Sequence, residues 1–109
     1  MAKENGDLVS VKIIPNEQDR PPGKLADAEV IFEAGAGPLS GLRLIGFAVW
    51  ERRDGGKNVT FPARQYSVNG ERRSFSLLRP IVDATAQDRV RDLILQAYAE
   101  HEEQAPVVA

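Results

Sequence analysis

Basic residues are concentrated in the middle of the chain, where they could bind an anionic partner. Between Arg43 and Arg79 there are eight basic and three acidic residues, a net charge of +5, whereas the remaining residues include six basic and thirteen acidic ones, a net charge of −7. Arginine and lysine side chains bind phosphates, so this segregation favours a polyanionic partner such as DNA or RNA. Solvated arginines on strand faces and hairpin tips are an equally good interpretation, and the sequence leaves both open.

Aromatic residues lie among these basic residues, and the two types together could bind nucleotides. Trp50, Phe61, Tyr66 and Phe75 occur at strand spacing. Aromatic rings stack on nucleobases while arginines contact phosphates. Rings at this spacing more often belong to a core, so we assign most of them there and expect Tyr66 to be the most exposed. The predicted nucleic-acid-binding residues are Arg52, Arg53, Lys57, Arg64, Tyr66, Arg72 and Arg73.

Residues suited to catalysis or metal binding are few. The chain contains no cysteine and one histidine, His101, which rules out a disulfide framework and thiolate zinc sites. His101 would be the only base for a nucleophile, and it falls in the last turn of a predicted helix. The glycine-rich segment 35–41 precedes a strand and not a helix, so a turn is favoured over a phosphate loop. We therefore predict a protein that is not an enzyme, with no catalytic residue, metal, cofactor or small-molecule substrate.

Hydrophobic periodicity predicts the strands that would position the basic residues. Apolar and polar residues alternate from Val9 to Ile13 before Pro15, and the run 39–50 is apolar on both faces, which predicts a central strand covered on both sides. Pro62 predicts an edge or a bulge, and Asn69-Gly70 predicts a tight hairpin. The predicted strand segments are 9–13, 26–33, 39–50, 59–61, 66–68 and 73–78, with a turn at 34–38.

The C-terminal part of the chain has helical periodicity. Apolar residues recur at helical spacing from Val90 to Tyr98, which predicts an amphipathic helix over residues 86–103. Thr85 is the expected N-cap, and Pro106 is expected to stop the helix. The predicted fold class is α+β, an antiparallel β-sheet of about five strands with one C-terminal amphipathic helix that docks through Leu93, Ile94 and Tyr98.

Length and composition predict a single domain. A chain of 109 residues fits one core, and we place the domain at residues 8–103 with disordered tails at 1–7 and 104–109. No run of about 18 apolar residues is present, and the N-terminus is polar, so we expect a cytoplasmic protein without membrane contact.

Four short motifs occur in an order typical of one bacterial family. They are GKLADAEVIF (Gly23–Phe32), NVTFPARQ (Asn58–Gln65), RPI (Arg79–Ile81) and VRDLILQAYAEH (Val90–His101). In order and spacing, roughly residues 8–101 resemble the septation and sporulation regulator family SpoVG. The resemblance implies an N-terminal antiparallel sheet, a C-terminal helix, a homodimer formed through the sheet, and binding of DNA and RNA.

Individual positions extend this resemblance to the basic segment. Phe61, Pro62, Ala63 and Arg64 match a family motif of an apolar residue, proline, a small residue and a basic residue, and Gln65 stands where a second basic residue is usual. Arg73 matches a basic residue of the following hairpin, and Pro80 matches the proline before the helix region. The resemblance thus implies a regulatory protein whose binding is dominated by phosphate contacts. The alternative is a protein–protein interaction module that binds no nucleic acid.

Overall fold

The computed structural model describes residues 8–18 and 21–104, which form two antiparallel sheets and one C-terminal α-helix. The predicted α+β class is confirmed. Four strands form one sheet in the order β1-β2-β3-β4, and two more strands form a separate hairpin. The elements are β1 (Val9–Pro15), β2 (Lys24–Phe32), β3 (Arg43–Glu51), β4 (Lys57–Thr60), β5 (Ala63–Val68), β6 (Glu71–Ser76) and α1 (Thr85–Gln104).

The structure differs from the sequence-based expectation in strand count and in the bounds of some elements. The described residues form six strands in two sheets, where about five strands in one sheet were predicted. The predicted turn at 34–38 is a 3-10 segment, Ala34–Leu39, kinked at Gly37. Gln104, which we had placed in the C-terminal tail, is the last residue of α1. The tail residues 1–7 and 105–109, including Pro106, lie outside the described residues.

The core lies between α1 and one face of the four-stranded sheet. Alternating residues of β2 point to this face, and Ala26 and Ala28 are completely buried there. Phe47 and Val49 of β3 and Ile94 of α1 are also completely buried. Side chains of a strand alternate between two faces, so a polar-apolar alternation is what a strand covered on one side requires. The whole buried cluster consists of Ala26, Ala28, Val30, Phe47, Val49, Val59, Ile94 and Tyr98.

Within residues 8–18 and 21–104 no helix lies on the opposite face of the sheet, which corrects the expectation that β3 is covered on both sides. β3 is an inner strand, but Ile45 is 60% exposed. Polar contacts cross this face, with Arg43 Nη1 2.7 Å from Glu29 Oε1 and Trp50 Nε1 donating to Thr60 Oγ1 at 2.9 Å. An apolar run can therefore line an inner strand without being buried on both sides, since inner position is set by pairing and burial by what packs on each face.

Pairing between β3 and β4 stops at Pro62, as the proline in the sequence had suggested. The ladder begins with the pair Glu51 and Lys57 and ends with the pair Ala48 and Thr60. If the same register continued by two residues on each strand, Pro62 would lie opposite Gly46. Proline has no amide hydrogen to donate to a ladder. Gly46 has a φ of 106°, and a Cβ atom at this position would lie 2.9 Å from Pro62 Cβ. Glycine thus allows both the β3 bulge and the close approach of the buried proline.

Among residues 8–18 and 21–104, hydrogen bonds join the β5–β6 hairpin to the rest of the protein at its base. Leu77 N donates to Pro62 O at 2.8 Å, and Gln87 Nε2 of α1 donates to Leu78 O at 2.9 Å. Phe61 packs edge-to-face on Phe47 with ring centres 5.2 Å apart. The strand residues beyond this base are exposed in both strands apart from Ser76. The hairpin is therefore a projection, not a part of the four-stranded sheet.

The helix begins at Thr85, but the capping side chain is that of Asp83. The Asp83 carboxylate accepts hydrogen bonds from the Thr85 backbone N at 2.9 Å and from the Thr85 hydroxyl. These bonds lower the pKa of Asp83 because they stabilise the charged carboxylate. The capping residue is thus Asp83, two residues before the predicted N-cap Thr85.

No helix among residues 8–18 and 21–104 is both long and apolar enough to cross a membrane.

The helical phase of α1 determines which of its residues face the core and so predicts how much each substitution lowers the free energy of unfolding. Ile94 is completely buried, whereas Leu93, expected to dock equally, only lines a shallow groove beside Leu8 and Val9. We expect Ile94→Ala to lower the free energy of unfolding by about 2–5 kcal/mol because it leaves a cavity in the core. Leu93→Ala should cost clearly less, and Glu102→Ala should stay within about 0.5 kcal/mol. Denaturant unfolding would contradict this helical phase if Leu93→Ala were the most damaging of the three.

The contact between Gly46 and Pro62 gives a second prediction for stability. Gly46→Ala should lower the free energy of unfolding by about 1–3 kcal/mol, because alanine is strained at positive φ and its Cβ would collide with the proline ring. Gly37 also has positive φ but has open space around its Cβ position, so Gly37→Ala isolates the cost of φ alone. Equal losses of stability in the two variants would mean that the proline contact adds nothing.

Candidate nucleic-acid interface

The register of the β5–β6 hairpin is set by its turn. Asn69 has a φ of 52° and Gly70 a φ of 82°, and two successive positive φ values make a two-residue type I′ turn. Asn-Gly is the dipeptide that tolerates these values best, so the predicted tight hairpin is confirmed. The turn pairs Val68 with Glu71, Tyr66 with Arg73, and Arg64 with Phe75.

Because side chains alternate along each strand, this register divides the hairpin into two different faces. One face, here called the aromatic face, carries both rings and two of the three arginines. The other, here called the polar face, carries small polar residues and the third arginine. The aromatic face consists of Arg64, Tyr66, Val68, Glu71, Arg73 and Phe75. The polar face consists of Ala63, Gln65, Ser67, Arg72, Ser74 and Ser76.

The two rings of the aromatic face touch each other and remain open to solvent. Tyr66 and Phe75 are diagonal neighbours, with ring centres 5.7 Å apart and ring planes at 64°. Each residue keeps 40% of its surface exposed. Tyr66 is exposed as expected, and Phe75, one of the four aromatic residues of which most were assigned to the core, is equally exposed. A ring in a two-stranded projection has only the facing strand to cover it.

The arginines of the hairpin are exposed and differ in their ion pairs. Arg73 Nη2 lies 2.8 Å from Glu71 Oε1, and both side chains are more than half exposed. An exposed ion pair of this kind contributes little to stability and leaves Arg73 able to exchange its partner. Among the described residues, no carboxylate lies within ion-pair distance of Arg64 or Arg72. The hairpin therefore presents two guanidinium groups without a carboxylate partner and one that shares an exposed carboxylate.

The other three predicted basic residues lie at the turn between β3 and β4. Arg52 and Arg53 are exposed in this turn, where Asp54 Oδ1 accepts a hydrogen bond from Gly56 N at 2.8 Å. Lys57 begins β4, and its Nζ lies 5.9 Å from the centre of the Tyr98 ring, within the range of a cation–π contact. Lys57 thus helps to close the end of the core, a role that the sequence did not indicate.

The structure does not bring all seven predicted residues together. The chain runs from Lys57 through Phe61 and Pro62 to Val68 with neither a turn nor a bend. At about 3.3 Å per residue this run extends up to roughly 36 Å, with the β3–β4 turn at one end and the hairpin tip at the other. Arg64, Tyr66 and Arg73 share the aromatic face, and Arg72 lies behind them. Arg52, Arg53 and Lys57 form a separate basic cluster.

Metal-ligating residue types are dispersed in the part of the chain that the structure describes. That part holds no group of three or more His, Asp or Glu residues that could bind a metal ion. His101 is half-buried on α1, beside Val11 and Ile13 of β1. A half-buried ring at this position is what the end of an apolar helix stripe predicts.

Val68, Glu71 and Phe75 are the residues of the aromatic face that the sequence-based prediction missed. The signal that identifies them is the Asn69-Gly70 turn, because a two-residue loop fixes which residues stand opposite each other. Counting back from it pairs Phe75 with Arg64 and puts Glu71 on the same face as Arg73.

The chain has no significant match among family models, among curated proteins or among solved structures.

Proposed function

We propose that the protein is a nucleic-acid-binding regulator of the SpoVG-like type that acts as a homodimer in the cytoplasm and catalyses no reaction. The observation that carries the proposal is the aromatic face of the hairpin, where Arg64 and Arg73 flank two exposed rings. Arginine beside aromatic surface is the combination that proteins use to hold nucleic acid, with guanidinium groups on phosphates and rings on bases. The resemblance to SpoVG supports the same function.

Phosphate contacts should dominate the affinity. The basic residues of the hairpin and of the β3–β4 turn are on short projections, and α1 is occupied by the core through Ile94 and Tyr98. The exposed face of α1 carries Asp88, Asp92, Glu102 and Glu103, and carboxylates repel the phosphates that line a major groove, so α1 is poorly suited to be a recognition helix. Contacts to phosphates position a protein without reading sequence. We therefore expect weak sequence preference and strong dependence on salt.

A salt titration tests this function. Each phosphate contact displaces condensed counterions, so the logarithm of affinity should fall with the logarithm of salt concentration at a slope of about 0.7–0.9 per contact. The double variant Arg64→Ala/Arg73→Ala should flatten this slope by roughly 1–2 units for oligonucleotides. Fluorescence anisotropy over a range of salt concentrations measures both affinity and slope.

A double variant elsewhere with the same change of charge provides the control. Lys12→Ala/Arg89→Ala removes two exposed basic residues from β1 and α1, outside the hairpin and the β3–β4 turn. It should leave the slope within about half a unit of the wild type. Absence of binding by the wild type at ~50 mM salt, where phosphate contacts are strongest, would refute the nucleic-acid function and favour a protein–protein interaction module.

Self-association is supported by apolar surface that the single helix leaves uncovered. Ile45 on the open face of the sheet is 60% exposed, and Ile81 and Val82 between β6 and α1 are 97% and 88% exposed. Ile81 and Val82 are adjacent in the chain and almost fully exposed, and adjacent exposed apolar side chains are the kind of surface that a partner covers. In a homodimer, a second copy of the chain would bury part of this surface.

Light scattering tests the dimer. We expect a mass of twice the 12.0 kDa of one chain at micromolar concentration. If the segment between β6 and α1 is in the interface, the double variant Ile81→Ser/Val82→Ser should shift the protein toward the monomer. If the open face of the sheet is in the interface, Ile45→Ser should have this effect. A mass of one chain throughout the micromolar range would contradict the proposal.

A further inference from the structure

We propose that the aromatic face of the hairpin stacks unpaired bases, so that the protein prefers single-stranded DNA or RNA to a duplex. This inference rests on the proposed nucleic-acid binding and adds the class of ligand. It concerns the rings of Tyr66 and Phe75, whereas phosphate contacts alone would require only the arginines. Stacking on exposed aromatic side chains is how many proteins hold single strands without reading sequence.

The first argument is the surroundings of the rings. Tyr66 and Phe75 cover only part of each other, and each keeps 40% of its surface open. The described contacts of β5 and β6 are with each other and, at the base only, with the rest of the protein. The contact between the rings stabilises the hairpin, and the 40% of each residue that stays exposed is surface that this contact does not use. A flat apolar ligand that covers this surface would stabilise both rings.

The second argument is the arrangement of charge around the rings. Arg64 stands directly opposite Phe75, and Arg73 stands directly opposite Tyr66. Each ring therefore has an arginine as its cross-strand neighbour, and the Cβ atoms of such opposite residues lie about 5 Å apart. A nucleotide has the complementary pattern, a flat base joined to an anionic phosphate. The aromatic face carries Arg64, Arg73 and Glu71, a net charge of +1, so charge favours an anionic ligand over a second copy of the same face.

The third argument separates single strands from a duplex. In a duplex each base is already stacked on its neighbours, so a ring can reach the face of a base only by unstacking the helix. An unpaired base has its faces available at much lower cost. The arginines contact phosphates in either ligand, and the rings add affinity only for the single strand.

Abasic oligonucleotides test the proposal with the unaltered protein. An abasic strand keeps the phosphates and lacks the bases, so it should bind about 10-fold to 100-fold more weakly than a single strand of equal length. The salt slope should be the same for both, because the number of phosphate contacts does not change. Equal affinity for the two strands, with a normal salt slope, would overturn the stacking inference and leave the proposed function intact.

Substitution of the rings provides the complementary test. Tyr66→Leu/Phe75→Leu keeps apolar bulk and removes the stacking surface, so single-strand affinity should fall about 10-fold or more while duplex affinity and the salt slope stay unchanged. Tyr66→Phe is the matched control and should bind single strands like the wild type. A leucine variant that loses its dimeric mass but keeps its single-strand affinity would overturn the inference, since the face would then be a contact between copies. Absence of binding to any strand would refute both proposals.

Discussion

The structure depends on the point where Pro62 comes opposite Gly46. There the ladder between β3 and β4 ends, because proline offers no amide hydrogen, and the missing Cβ of Gly46 leaves space for the buried ring. The chain then continues straight into β5 without pairing to β3. Both the separation of the hairpin from the sheet and the exposure of its side chains follow from this local contact.

The core and the candidate interface consequently have different physical characters. The core is formed by one helix on one face of four strands, with Ile94 and Phe47 completely buried, and it provides most of the apolar burial of the domain. The hairpin buries little and presents charge and aromatic surface. If the hairpin binds a polyanion as proposed, its projection from the sheet would separate the ligand from the carboxylates of α1, and distance and screening would reduce their repulsion.

The distribution of the basic residues bears on how a nucleic acid would bind. A single protomer carries two basic clusters, one at the β3–β4 turn and one on the hairpin, at opposite ends of an extended run of chain. A nucleic-acid strand bound at both basic clusters would have to span several nucleotides. A homodimer would double the number of clusters, and linked sites raise the overall affinity without any new contact. The proposed dimer and the proposed ligand thus support each other.

Local sequence determined much of this protein. The alternation in β2 indicated a strand covered on one side, the stripe from Val90 to Tyr98 indicated α1, and Asn69-Gly70 determined the hairpin and its register. Tertiary structure decided which apolar residues are buried. Phe75 and Ile45 have the periodicity of core residues, yet both are exposed, because the one helix covers one face of one sheet. Burial depends on what packs against a face, whereas periodicity within a strand shows which residues share a face and not which element covers it.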